Sequence, residues 1–319
     1  MQFPKLRKVP PLPFVGNKSY GRKKFLEFLY QLDDGDNMTF VDLFGGSFYL
    51  SYMIHKVFPN AKIICNDYDN YMERLKNIDK TNIFIDKVKE ILVDSEKGKR
   101  VSDEVKQKID ELINNETDYI DFITLSASLL YSSQYTPDKE LFLKRVYWNH
   151  PVKFHYSEDI SDYIEGIEFV NKDWKELFEE FCENENIIFI ADPPYPKTNN
   201  FAYKGNKWEL KDSLQTLEIM KTPYFVYYTS TKTGMMDIID FLIDQGFEIN
   251  SYESIVYKRS KISNICKSNE ELILYNFGFV DDDEEEEEFL EEEEEAKNNE
   301  EEEKKEEENN KEENTNNDN

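Results

Sequence analysis

The sequence predicts an α/β fold in which short buried strands alternate with helices. Short apolar runs recur along the chain, and stretches with a helical apolar stripe separate them. Two of these runs end in groups of residues suited to ligand binding. Open α/β sheets bind their ligands at the carboxyl ends of their strands. The chain has 319 residues, of which 39% are hydrophobic, and this suffices for one sizeable domain with an insert.

The segment Pro13-Phe14-Val15-Gly16-Asn17-Lys18 precedes the first predicted helix, whose apolar side spans residues 25–29. Lys18 and the basic run 22–24 can reach a carboxylate or phosphates of a ligand. Alternatively, these residues form the solvated face of the helix, which is the preferred interpretation for the run 22–24.

A buried strand predicted over Met38–Phe44 leads into Asp42-Leu43-Phe44-Gly45-Gly46-Ser47, and a helix is predicted over Ser47–Val57. Paired glycines between a strand and a helix let a ligand approach the backbone closely. The next strand, Lys62–Asp67, ends in an acid about 20 residues after the glycine turn, a position suited to ribose hydroxyls. This plan indicates a nucleoside-cofactor site. An ordinary strand–turn–helix with a solvated Asp67 is the alternative, and no G-x-G-x-x-G occurs.

An insert is predicted over residues 79–160. It is helical at Phe84–Val93 and Ser102–Asn114, and more apolar at Tyr119–Tyr131. Side chains of the types that read base edges or phosphates follow, although each is equally ordinary in a loop: Ser132, Ser133, Gln134 and Asn149.

The tetrapeptide Asp192-Pro193-Pro194-Tyr195 follows the buried strand Ile187–Ala191. The Asp192 carboxylate and the Pro193 carbonyl can accept both N–H bonds of a planar exocyclic amine, which favours the pyramidal geometry needed to attack a methyl group. Pro193 and Pro194 make the segment stiff. Tyr195 offers a flat face for a base taken out of a duplex. The alternative is a proline turn that ends a strand.

The chain resembles the Dam-type DNA adenine methyltransferases over residues 10–277. The resemblance lies in four motifs that occur in the family's order: PFVGNK (Pro13–Lys18), FVDLFGGS (Phe40–Ser47), NDYDN (Asn66–Asn70) and DPPY (Asp192–Tyr195). It implies a Rossmann-like S-adenosylmethionine-dependent methyltransferase fold with a mostly parallel seven-stranded sheet and a small helical target-recognition insert. The catalytic domain is then split into residues 10–78 and 161–280.

The resemblance also implies roles for individual residues. Phe14 and Lys18 line the S-adenosylmethionine site, with Lys18 near the methionine carboxylate. Asp42 is expected among the cofactor-binding residues, and the loop after it (Phe44, Gly45, Gly46, Ser47) packs under the cofactor. Asp67 holds the ribose hydroxyls, Asp192 contacts both the cofactor region and the target amine, and Tyr195 stacks on the flipped adenine. Phe48 stands where a third small residue is common, so a narrower loop is expected.

The formal net charge of −28 is unusual for a protein that binds DNA. Residues 281–319 hold 23 Asp and Glu against 4 Lys, and this tail is predicted to be disordered. The remainder, at −9, must concentrate positive charge locally to hold phosphates. The candidate clusters are Lys5, Arg7 and Lys8; Lys97, Lys99 and Arg100; Lys144 and Arg145; Lys204 and Lys207; and Lys258, Arg259 and Lys261.

Three widely spaced cysteines form no C-x-x-C pattern, so no metal site is expected and a reduced, cytoplasmic setting in a bacterial, phage or viral host cell fits. No signal peptide or membrane-spanning run is evident. The expected function is transfer of a methyl group to adenine in DNA by a monomer, with a restriction endonuclease as a candidate partner. The alternatives are transfer to another planar amine (cytosine, RNA or protein glutamine) and a catalytically silent binding protein.

Overall fold

The protein is described from a computed structural model that covers residues 5–19, 21–32, 34–131, 134–149, 155–195, 208–258 and 270–277, without the side chains of residues 256–258 and 270. Residues 1–277 form one compact unit. The predicted acidic tail lies outside the described residues. So do Ser132, Ser133, Lys204, Lys207, Arg259 and Lys261.

A sheet of seven strands forms the centre of the described part of the chain. The strands are β1 (Thr39–Asp42), β2 (Lys62–Asn66), β3 (Ile167–Val170), β4 (Ile187–Ala191), β5 (Tyr224–Ser230), β6 (Glu253–Lys258) and β7 (Glu270–Asn276). Their order across the sheet is β3-β2-β1-β4-β5-β7-β6. The first five run parallel, whereas β7 is antiparallel to both of its neighbours. The predicted α/β fold with a mostly parallel seven-stranded sheet is therefore confirmed.

Helices connect the strands and cover the sheet. They are α1 (Arg22–Leu29), α2 (Tyr49–Val57), α3 (Tyr71–Lys76), α4 (Ile78–Leu92), α5 (Asp103–Asn115), α6 (Phe122–Leu129), α7 (Lys139–Leu143), α8 (Ser161–Ile164), α9 (Trp174–Phe181), α10 (Leu210–Gln215) and α11 (Met235–Asp244). Short 3-10 turns occur at Gly35–Asn37 and Thr216–Lys221. Within the described ranges, no helix has the length and apolar character needed to cross a bilayer.

The two faces of the sheet belong to two separate apolar cores, because successive side chains of a strand point to opposite faces. On β1, Phe40 packs into the core that contains α1 and α2, and Val41 packs into the core that contains α11. All five residues of β4 are buried. Continuous burial on both faces is typical of parallel strands covered by helices, and it explains why β4 was readable as an uninterrupted apolar run.

Helices α4 to α7 form the insert between α3 and α8, and they enclose a third apolar core of their own. Phe84, Ile109, Leu125 and Phe142 are buried in it. The insert is attached to α3 by Arg74, whose Nε lies 3.0 Å from a carboxylate oxygen of Asp121 at the start of α6. The helices α4 to α7 of the predicted insert, residues 79–160, thus share this apolar core.

Two elements differ from the sequence prediction. Strand β3 was not predicted from its residues, because it is short and exposes Glu168 at the edge of the sheet. The sequence also predicts a strand near Phe247–Tyr257, but strand β6 begins only at Glu253. The segment before it is held elsewhere, because the amide of Asn250 donates to the carbonyl of Met220 (3.0 Å) and its side chain donates to the carbonyl of Thr222 (2.8 Å).

Candidate active site

A cavity of about 300 Å³ opens at the carboxyl ends of the parallel strands. Loops that follow β1, β2, β3 and β4 all contribute to its wall, as does the N-terminal segment. The lining residues used below are Phe14, Gly16, Lys18, Phe44, Gly45, Gly46, Asn66, Tyr68, Asp69, Asp173, Trp174, Asp192, Pro194 and Trp208. Strands β1 and β4 are neighbours at the centre, where the strand order reverses, so the cavity occupies the position at which such sheets bind ligands.

The glycine loop after β1 forms the floor of this cavity. A Cβ atom on Gly45 would lie 2.5 Å from Cys65 Sγ and 2.8 Å from the carbonyl oxygen of Asn66, so no side chain fits there. Gly46 adopts φ +52°, and a Cβ on it would lie 3.1 Å from the Phe14 ring. Both glycines are therefore required by the close packing of protein atoms and, at Gly46, by the backbone conformation.

Phe48 does not narrow the glycine loop, contrary to the expectation from the sequence. Its backbone adopts φ +64° directly before α2, and Phe48 is not one of the residues that line the cavity. The ring is fully buried and packs against Tyr71 (5.1 Å between centroids) and Phe169 (4.6 Å). The aromatic residue thus fills the core beneath the loop and leaves the cavity open.

Asp42 lies under the loop and is not one of the residues that line the cavity. It is 1% exposed, accepts a hydrogen bond from the Ser51 hydroxyl (2.8 Å) and accepts another from the Phe44 amide (3.3 Å). Burial is the main cause that raises its pKa to about 7, and the negative charge of Asp192 adds to the rise. The structure therefore places Asp42 as a support of the loop.

Asp67, the acid predicted to bind ribose hydroxyls, is directed at the start of α3. Asp67 accepts hydrogen bonds from the amides of Tyr71 (2.5 Å) and Met72 (3.1 Å), at the start of α3. It does not line the cavity, whereas Asp69, two residues further along, does. Carboxylates near helix N-termini are stabilised by the amides and the helix dipole, so Asp67 caps α3 and Asp69 is the better-placed acid for a ligand hydroxyl.

Aromatic rings form one side of the cavity, and the sequence analysis did not identify this feature. The Phe44 ring lies 5.7 Å from the rings of both Trp174 and Trp208. The indole of Trp208 donates to the Ser213 hydroxyl (2.8 Å), which fixes its orientation. Trp174 follows β3, and Asp173 caps the helix that starts there. Recognition of β3 as a strand would have drawn attention to Asp173 and Trp174, because they follow its carboxyl end.

Asn66 connects three of the loops that form the cavity. Its side-chain amide donates to the carbonyls of Leu43 and Lys172, both at 3.1 Å, and its side-chain oxygen accepts from the Lys172 amide at 3.1 Å. Its backbone carbonyl also accepts from the Gly45 amide (3.2 Å). The loops after β1, β2 and β3 are therefore hydrogen-bonded to one another.

Asp192 lies directly after β4 and forms an ion pair with Lys18. The Lys18 ammonium lies 2.6 Å from Asp192 Oδ2, donates to the Gly16 carbonyl (3.1 Å), and is 5.3 Å from the ring centroids of Tyr195 and Tyr228. The lysine is 5% exposed. The structure brings seven predicted site residues together, since the same cavity is lined by Phe14, Lys18, Phe44, Gly45, Gly46, Asp192 and Pro194.

Glu271 is a further acid beside Lys18, and it is not among the site residues predicted from the sequence. It is 4% exposed, and its Oε2 lies 3.8 Å from the Lys18 ammonium. Tyr228 lies close by, and burial, followed by the charges of Asp192 and Glu271, raises the pKa of its phenol well above its usual range. Two carboxylates therefore share one buried ammonium.

The residues of the cavity fit S-adenosylmethionine. Gly45 and Gly46 present backbone without side chains to the cavity, the aromatic rings of Trp174 and Trp208 suit a purine, and Asp69 suits ribose hydroxyls. The carboxylates of Asp192 and Glu271, beside Lys18, suit a positively charged group.

Two of the basic clusters recognised in the sequence meet on the insert. Residues 98–101 pair antiparallel with residues 147–149, since the Gly98 amide donates to the Asn149 carbonyl (2.6 Å) and the Val101 amide donates to the Tyr147 carbonyl (3.1 Å). This pairing brings the exposed Lys97, Lys99 and Arg100 next to the segment that carries Lys144 and Arg145. The Tyr131 ring, 55% exposed, lies 5.1 Å from that of Trp148 on the same part of the insert. These residues are called the basic insert surface below.

Comparison with known proteins identifies a relative in Haemophilus influenzae that bears the name "Putative methyltransferase". It is 30% identical over 265 residues, which cover 79% of this chain and 88% of the relative. The chain belongs to this methyltransferase family. No family model matches the chain.

Two solved structures show a weaker likeness. A precorrin-6y C5,15-methyltransferase from Geobacter metallireducens is 10% identical, covers 87% of this chain and all of its own, and has a TM-score of 0.36. An RNA methyltransferase, named as putative, from Pyrococcus horikoshii is 13% identical, covers 86% of this chain and 92% of its own, and has a TM-score of 0.38. At such TM-scores neither structure bears on the substrate of this chain.

Proposed function

We propose that this methyltransferase transfers a methyl group from S-adenosylmethionine to the exocyclic amine of an adenine flipped out of DNA, as in the Dam-type enzymes that its motifs resemble. The observation that carries the proposal is the position of Asp192. It follows the central strand β4 and lines the same cavity as the glycine loop. A methyl donor and a target amine can therefore meet beside one carboxylate.

The chain's own residues support the chemistry by positioning and by charge. When bound, S-adenosylmethionine supplies an electrophilic methyl group. Asp192 and the Pro193 carbonyl accept the two amine N–H bonds, and this stabilises the amine as it acquires positive charge. The two prolines have fixed backbone angles, which matters because a misplacement of about 1 Å can cost about a hundredfold in rate. Tyr195 follows at once and offers its ring to the flipped base.

The basic insert surface supports DNA as the partner. The body of the protein is acidic, so a local group of cations is needed to hold phosphates. Lys97, Lys99 and Arg100 are exposed, and Tyr131 offers a ring beside them. Cations combined with exposed aromatic rings are typical of nucleic-acid contacts.

Transfer of labelled methyl groups tests the proposal. The protein is incubated with labelled S-adenosylmethionine and with DNA, RNA or a protein extract, and the labelled product is hydrolysed and identified. The expected result is label in DNA as N6-methyladenine, abolished by Asp192→Ala, while the matched variant Asp173→Ala at another acid of the cavity wall retains the base specificity. Label in cytosine, RNA or glutamine would refute transfer to adenine in DNA. Binding of the cofactor or of nucleic acid without any transfer would identify a catalytically silent protein.

A further inference from the structure

The Lys18 ammonium, which is paired with Asp192, has a second carboxylate nearby, that of Glu271. Lys18 lies 2.6 Å from Asp192 and 3.8 Å from Glu271, and the Glu271 side chain is 6% exposed. Burial of an ionised carboxylate is costly unless it is paired and hydrogen-bonded. A charged group in this position therefore has a strong electrostatic effect on its neighbours.

The topology explains why Glu271 reaches this corner. Strand β7 is antiparallel to β5, and Glu271 is paired with Ser230 at the carboxyl end of β5. The beginning of β7 thus lies at the edge of the sheet where β1, β4 and β5 end. Glu271 is far from Asp192 in sequence, but the two lie on neighbouring parts of one edge.

We propose that Glu271 is a positioning residue for methyl transfer and acts through Lys18. The identity of the amine substrate rests on the proposed function above. Glu271 shares the Lys18 ammonium, so this ammonium does not interact with Asp192 exclusively. Asp192 therefore keeps acceptor capacity for an N–H of the target amine. Two acidic side chains thus stand beside one lysine, and this arrangement favours the positive charge that the amine acquires.

The first test is Glu271→Gln, which keeps the size of the side chain and removes its charge. The rate of methyl transfer in a single turnover is expected to fall by about tenfold to a hundredfold, with the Kd values for S-adenosylmethionine and DNA unchanged within about twofold. Glu271→Asp keeps the charge and is expected to be faster than Glu271→Gln. The control is Glu168→Gln, the same change on an exposed carboxylate of β3.

A double-mutant cycle separates action through Lys18 from a structural role. In a Lys18→Met background, Glu271→Gln is expected to change the rate by less than about twofold. Any one of three results overturns the proposal. The first is an equal loss of rate in both backgrounds, and the second is a cofactor Kd that rises in step with the loss of rate. The third is a Glu271→Asp variant that is no faster than Glu271→Gln. If Glu271→Gln does not fold, the Glu271→Asp variant alone tests the proposal. A cofactor Kd that rises in parallel with its loss of rate would contradict a role confined to the transfer step.

The wild-type protein is assayed first, so that the two proposals fail separately. If it labels RNA or protein instead of DNA, the proposed substrate is wrong, and the same variants and cycle are measured on the substrate that is labelled. If it labels DNA and the cycle shows no coupling between Lys18 and Glu271, the proposed function stands and the role of Glu271 is refuted.

Discussion

The Lys18 ammonium lies 2.6 Å from the Asp192 carboxylate. This ion pair joins the N-terminal segment to the carboxyl end of the central strand, and it is nearly enclosed, since Lys18 is 5% exposed. The resemblance to the Dam-type enzymes placed Lys18 near the methionine carboxylate of the cofactor. In the structure its donors are directed at Asp192 and at the Gly16 carbonyl.

Lys18→Met is expected to impair the transfer step more than cofactor binding. The ion pair orients Asp192, so its loss should lower the single-turnover rate by about a hundredfold, while the Kd for S-adenosylmethionine changes by less than about threefold. Rapid-quench kinetics and calorimetry measure the two quantities. A large increase in Kd with little change in rate would show instead that Lys18 holds the cofactor.

The neighbouring acids Asp67 and Asp69 are expected to have different roles. Asp69→Ala should raise the Kd for S-adenosylmethionine by about tenfold or more, because hydrogen bonds to a charged group contribute about 1.5–3 kcal/mol. Asp67→Ala should lower the free energy of unfolding by about 1 kcal/mol, because it removes the acceptor for two amides at the start of α3. Calorimetry and urea unfolding measure these effects, and the reverse assignment would restore the interpretation made from the sequence.

The intrinsic fluorescence of the protein should report cofactor binding. The sequence has three tryptophans, and two of them, Trp174 and Trp208, line the cavity. Binding of S-adenosylmethionine should quench the emission, and Trp174→Phe and Trp208→Phe should each remove part of the signal and raise the Kd by about twofold to tenfold. Trp148→Phe, in the insert, is the matched control. A signal that disappears only in that variant would place the cofactor away from the cavity.

Asp42 should make the protein less stable as the pH rises. Its pKa is raised from 3.8 to about 7 by burial, so between these values the folded protein holds a proton that the unfolded chain has released. Its contribution is complete below about pH 4, falls as the pH rises to about 7, and is then constant. Relative to Asp42→Asn, the wild-type free energy of unfolding should decrease by roughly 4 kcal/mol over this range. Urea titrations at several pH values test this, and parallel pH curves for the two proteins would contradict it.

Cations of the basic insert surface should govern DNA affinity and its dependence on salt. The double change Lys99→Ala and Arg100→Ala is expected to weaken DNA binding and to reduce the slope of log K against log salt by about 1 for each phosphate that is no longer neutralised. Lys62→Ala removes an exposed lysine at the amino end of β2 and serves as the control. Equal slopes for both variants and the wild type would separate this surface from DNA binding.

The sequence predicted most of the fold because its central strands are buried on both faces. The strands β1, β2 and β4 were therefore readable as apolar runs, and the glycine loop and Asp192 were placed correctly at their ends. Other parts depended on information that is not local. Strand β3 carries an exposed Glu168, so its pattern is mixed.

The remaining site residues were decided by turn geometry and by topology. Asn70 adopts φ +57°, and the turn that it ends directs Asp67 to the helix and Asp69 to the cavity. These acids are two residues apart, and no pattern in the sequence distinguishes them. Glu271 reaches the site only because β7 is antiparallel. Such residues become visible only when the strands are assembled.

The hydrogen bonds of the Asn66 side chain have a consequence for the kinetics of ligand entry. They connect the loop after β1 to the loop after β3 before any ligand is present. A ligand that enters the cavity therefore need not order these segments, and little entropy is lost in closing them. The association rate should increase linearly with cofactor concentration, without the plateau produced by a slow rearrangement.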